Sequence, residues 1–238
     1  MAEPLSYDVT GSGPVLLVLP GGAGHPMGLG PLAERLAGHF TVVTYDPLGL
    51  AHGRLGPPVP EQRVAAWSEG AHRVLEAVLP GGGSAYVFGT SSGGITALDL
   101  LARHPERLAH VVAHEPPCVT VLPDGEERRA ELIGQLDGPG RPPAEGESAT
   151  PFGVFLARVL RPFTAHLPTF TAPRGRLTLG AGTDSRGTVL HRTAASLAER
   201  LGGAFLEFPG GHLGTADHPV AFADLLTGTL RSSARTSA

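Results

Sequence analysis

Short apolar runs recur along the chain, and between them the apolar positions change to a helical spacing. The runs fall at 15–19 (VLLVL), 41–46 (TVVTYD), 85–89 (AYVFG), 109–113 (AHVVA), 176–180 (RLTLG) and 204–208 (AFLEF). Unbroken runs of this length suit strands buried on both faces of a parallel sheet. Val64, Trp67, Ala71, Val74 and Val78 share one helical face, as do Leu190, Ala194, Leu197 and Leu201. Further helices are predicted over 29–38, 93–104 and 219–230. Strand and helix alternating in this way predict a doubly wound, mostly parallel α/β fold.

One stretch breaks the rhythm. No strand is predicted from Pro116 to about Pro173, and residues 134–149 (GQLDGPGRPPAEGESA) are rich in Gly, Pro and charge. Short helices are predicted on either side, near 125–135 and 152–161. A long strandless gap inside an α/β domain is characteristically functional or disordered. Phe152, Phe155, Phe163 and Phe170 fall within it, which favours a segment packed on something apolar. The expectation is a core of 1–115 and 173–238, with 116–172 inserted as a helical cap over the sheet's C-terminal edge and flexible in its middle. The four phenylalanines would line a substrate pocket.

Composition then removes several classes of function. The 238 residues include 18 basic side chains, all arginine, against 22 acidic ones, for a net charge of −4. No basic tract suggests a nucleic acid or a membrane surface as partner. Without lysine there is no Walker-type phosphate loop and no Schiff-base chemistry. Cys118 is the single cysteine, so neither an intrachain disulfide nor a Cys-rich zinc site can form. The N-terminal MAEPLSYDVTGSG lacks a charged region followed by an apolar run, and no segment approaches ~18 continuous apolar residues. The expectation is a cytoplasmic, unprocessed protein acting on a small molecule, with no metal and no cofactor.

The chemistry centres on Gly89-Thr90-Ser91-Ser92-Gly93, a G-x-S-x-G sequence between a predicted strand and a predicted helix. A nucleophilic serine on such a tight turn leaves little room two residues away on either side, and glycine at both positions relieves the crowding. Centring the motif on Ser92 would put Thr90 and Gly94 at those flanks, so Ser91 is the candidate nucleophile. The competing reading is a glycine-rich turn with an N-capping serine. Among 11 histidines, His212 in FPGGHLG follows the last predicted strand and is the candidate base. Asp184 in GAGTDSRG is the candidate orienting acid, giving the chain order Ser, Asp, His. Asp184 could instead cap the next helix. Glu115, in VVAHEPP at the end of the preceding strand, is the rival acid. Oxyanion donors are expected from the amide of Ser92 and from Gly22, or alternatively Ala23, in the loop LPGGAGHPMG. That loop lacks the third glycine of a dinucleotide fingerprint, and Pro26 falls where phosphate-binding amides would be needed.

With these segments in this order, the chain resembles the α/β-hydrolase fold family from about Pro14 to Leu230. LVLPGGAG resembles the family's oxyanion loop, TVVTYDPLG its next strand and turn, and VFGTSSGGITALDLLARHPERL its nucleophile elbow and helix. GTDS and FPGGHLG resemble the acid and histidine loops, and VVAHEPP with VLPDG is similar to a subgroup of small actinobacterial members. Pro20-Gly21 stands where the family usually has His-Gly, and Pro47 to His52 replaces its Arg-Gly-rich turn. Serine as nucleophile argues against the branches that use aspartate. The resemblance implies a serine hydrolase acting through an acyl-enzyme. The apolar cap suggests a small to medium, largely apolar ester, thioester or lactone. Two alternatives stay open: a cyclase or acyltransferase of secondary metabolism on the same fold, or a non-catalytic ligand-binding member.

Overall fold

The six apolar runs all become strands in the structure, a computed structural model that describes residues 5–24, 29–52, 59–137, 150–173 and 175–236. They are β2 (Val15–Leu19), β3 (Thr41–Tyr45), β4 (Ala85–Thr90), β5 (Leu108–His114), β6 (Leu177–Gly182) and β7 (Ala204–Phe208), joined by β1 (Tyr7–Gly11). The seven form one sheet in the order β1-β3-β2-β4-β5-β6-β7. Every pairing is parallel except β1 with β3, where Tyr7 lies opposite Tyr45. The sheet is therefore mostly parallel, as expected. β1 was not anticipated. It is an edge strand that leaves Asp8 to Gly11 exposed, so it carries no apolar run to announce it.

Alternation along each strand divides the core between the two faces. Leu17, Leu19, Val87, Val111 and Leu179 pack with α2 (Val64–Val78), α3 (Ser92–Arg103) and α7 (Val189–Leu201). Leu16, Val18, Val42, Phe88 and Val112 pack with α1 (Gly30–Ala37) and α9 (Pro219–Thr236) on the other side. Each fully buried leucine contributes about 1.5–3 kcal/mol relative to an exposed one, so this two-sided burial holds the sheet edge rigid where the site is built.

Among the described residues between β5 and β6 there is no strand. A 3-10 turn (Val119–Val121) precedes α4 (Gly125–Asp137); then come α5 (Pro151–Val154), a π turn (Phe155–Val159) and α6 (Leu160–Thr164). The Thr150 hydroxyl caps α5, accepting from the Gly153 amide at 3.0 Å. The middle of the Gly/Pro-rich stretch, 138–149, lies outside the described residues, as do His25, Pro26 and Met27. A one-turn α8 (Gly214–Asp217) lies between β7 and α9. Among the described residues no helix is long and apolar enough to cross a membrane.

Candidate active site

The turn between β4 and α3 is as tight as the glycines require. Ser91 sits at φ 53° and ψ −124°, a conformation that costs a non-glycine residue about 1–3 kcal/mol and persists only where its surroundings enforce it. The enforcement is visible. The Ser91 amide donates to His114 O at 2.9 Å, and the Ser91 carbonyl accepts from Ile95 at 3.2 Å. A Cβ on Gly89 would come within 2.3 Å of Gly93 O, and one on Gly93 within 1.9 Å of Leu19 O. Both glycines are therefore needed for α3 to approach β2 and β4 closely.

The two adjacent serines face different partners. Ser92 is buried and its hydroxyl donates to Gly22 O at 2.8 Å, tying the loop after β2 to the start of α3. Gly22 takes φ 62° and lines the cavity together with Gly21 and Ser91. Ala23 packs instead with Leu50 and Val154. Gly21 has its own reason to be glycine, since a Cβ there would sit 2.9 Å from Ser91 Cβ.

His212 and Ser91 line the same cavity. No hydrogen bond joins Ser91 Oγ to the imidazole among the described residues. Such contacts commonly tighten only when substrate binds. The acid that holds the imidazole is Glu115. Its Oε2 accepts from His212 Nδ1 at 2.9 Å and its Oε1 from the Gly182 amide at 2.9 Å. Glu115 is fully buried and has φ 43°. Burial works against its charge. The hydrogen bonds from His212, from the Gly182 amide and from Ser185 outweigh it, and hold the carboxyl well below its ordinary range. An ionised carboxylate can only accept, so Nδ1 carries a proton, and the neutral tautomer selected in this way has its lone pair on Nε2.

Asp184 does not take that position. It is exposed on the turn after β6, its amide donates to Gly210 O at 2.9 Å, and its carboxylate accepts from Thr183 at 3.4 Å. The expectation of Asp184 against the histidine is corrected to Glu115, its rival. The cause lies in the sheet: the Glu115 amide extends the β5–β6 pairing by donating to Gly180 O at 2.9 Å. That register turns the longer Glu side chain under the histidine loop. Beside it, His114 is buried with both ring nitrogens unpartnered, its ring edge-on to Phe208 and Phe222. Burial pushes this imidazole down to about 4, which leaves it neutral at pH 7.

The cavity has a volume of about 500 Å³, within the range of sites for small organic ligands. Of the four phenylalanines, Phe152 and Phe155 line it. Phe163 does not: it is buried against Trp67, with ring centroids 4.7 Å apart. Phe170 packs on the main core rather than the cavity. The remaining apolar wall comes from leucines that sequence reasoning missed, Leu132 and Leu136 of α4, Leu160 of α6 and Leu190 of α7 among them. Leucine at helical spacing signals burial equally whether it faces a core or a cavity, so the sequence held no separate signal for them. Leu190 was grouped with the core face of its helix.

Residues 14–142 match the model of the α/β-hydrolase fold family. The chain belongs to that family. It is 32% identical to the uncharacterized hydrolase YraK of Bacillus subtilis, over 93% of this chain and 90% of that protein. A shorter similarity, also 32%, is to the zearalenone hydrolase of Cladophialophora bantiana and covers 47% of this chain and 42% of that one. Among solved structures, an α/β hydrolase from Sphaerobacter thermophilus superposes with a TM-score of 0.64 at 24% identity, covering 95% of this chain and 96% of that one. This chain is an α/β-fold hydrolase, with its buried carboxylate at the end of β5.

Proposed function

We propose that this hydrolase cleaves small to medium, largely apolar esters through a Ser91–His212–Glu115 triad. The observation that carries the reading is the His212 imidazole, held on a buried, ionised carboxylate through Nδ1 while its ring and Ser91 line one cavity. Ser91 Oγ attacks the carbonyl carbon as His212 Nε2 takes its proton. The amides of Gly22 and Ser92 receive the oxyanion. His212 then protonates the departing alkoxide, leaving an ester on Ser91. Water, deprotonated by the same imidazole, attacks that ester and releases the acid. Glu115 keeps the imidazole in the productive tautomer and stabilises its charged form. Each oxyanion donor of this kind is worth about 2.7–4 kcal/mol of transition-state stabilisation.

Among the described residues lining the cavity there is no charged side chain, which supports an uncharged substrate body. A fluorophosphonate reagent tests the nucleophile, with mass spectrometry to place the adduct. Modification of Ser91 in the folded protein is expected, together with turnover on an ester panel that includes zearalenone, for which a similar protein is named. Absence of an adduct at Ser91 would overturn the reading.

A further inference from the structure

Two threonines in the cavity are not used by the chemistry above. Thr90 and Thr215 both line it and are only 7% and 5% exposed. Neither hydroxyl has a hydrogen-bond partner among the described residues. Four other buried threonines do, while Thr227 does not: Thr96 donates to Ser92 O, Thr164 to Leu160 O and Thr193 to Val189 O, and Thr178 pairs with His110. The two are also near the candidate reacting groups along the chain and share their cavity. Thr90 ends β4 immediately before Ser91, and Thr215 lies in α8 three residues after His212.

Both hydroxyls open onto the cavity, so a ligand group of matching polarity can take the place of water on them, whereas an apolar group that displaces the water leaves them unpaired. In a mostly apolar cavity, a few such groups fix orientation and selectivity. We propose that Thr90 and Thr215 form a polar subsite for an oxygen substituent, hydroxyl or keto, carried close to the scissile carbonyl of an otherwise apolar ester. Each threonine hydroxyl can donate to a keto oxygen or a hydroxyl of the substrate, and can accept from a substrate hydroxyl. This inference rests on the reading of Ser91 as nucleophile of an ester-cleaving site.

The test compares matched esters of one chain length, unsubstituted, hydroxy-substituted and keto-substituted beside the carbonyl, with the wild type, Thr90→Val and Thr215→Val. The wild type is expected to favour one of the oxygenated esters by about tenfold in kcat/KM, and each isosteric variant to lose most of that ratio. The preferred arm tells hydroxyl from keto. A ratio that does not change in either variant overturns the subsite, including the case where all esters slow together, as a purely structural role would cause. Calorimetric binding of the corresponding amides to Ser91→Ala protein reads the same ratio without catalysis. If no ester is cleaved but the amide preference is present and threonine-dependent, the nucleophile assignment fails and the subsite stands. Equal binding of all three amides overturns it.

Discussion

Glu115 shows how one residue can be legible in kind and not in role. The sequence placed two carboxylates at the carboxyl ends of neighbouring strands, and both ends face the histidine loop. What separates them is burial and backbone direction: Glu115 is enclosed at φ 43° and Asp184 is exposed. Neither property leaves a mark in composition or spacing. Glu115→Gln should lower kcat by about 10³–10⁴, the loss expected when the imidazole no longer has its anionic partner. Asp184→Asn should stay within about threefold on the same ester assay. His114 and Glu115 also fix the response to acid. The His114 pKa falls from 6.5 to about 4 on folding, so the unfolded chain binds the proton more readily. Its contribution is complete above about pH 6.5 and is lost as pH falls toward 4. Glu115, lowered from 4.5, adds a further loss below about pH 4.5. Thermal melts should therefore show Tm falling from about pH 6.5 downward, and His114→Phe should flatten the upper part of that fall.

Among the elements, the elbow was the most legible, because sterics at the glycines demand a particular sequence. The close approach of α3 to β2 now has a number attached. Gly93→Ala, with its Cβ directed 1.9 Å from Leu19 O, should destabilise the fold by about 3 kcal/mol in denaturant unfolding. Gly81→Ala, where nothing lies within 4 Å, should change stability by less than about 0.5 kcal/mol. Legibility faded at the periphery. β1 has an exposed pattern that resembles a loop, and one-turn α8 is too short to show a period. Between β5 and β6 the phenylalanines split, two to the cavity and two to the core: through Phe163 the chain turns through α, π and α geometry, so no single period survives, and Phe170 lies beyond α6 outside any helix.

For the whole molecule, the shape of the cavity decides which ligands fit. Its wall draws on α4, α5, α6 and α7 as well as the loop after β7, so bulk added on any of these elements shortens the same space. Leu190→Trp should lower kcat/KM for long acyl chains about tenfold more than for acetyl esters, read from a chain-length series. Equal loss across the series would place Leu190 outside the substrate's path.

The hydrogen bonds from Ser91 to His114 O and from Glu115 to Gly180 O lash these two residues to the same three central strands. Their separation is then a lattice spacing of the sheet, independent of how side chains settle around them. Local fraying cannot loosen the pair by degrees. The Ser91 and Glu115 amides should exchange with deuterium as slowly as Val87 and Val111, so the spacing of the two residues should vanish only when the central sheet itself opens.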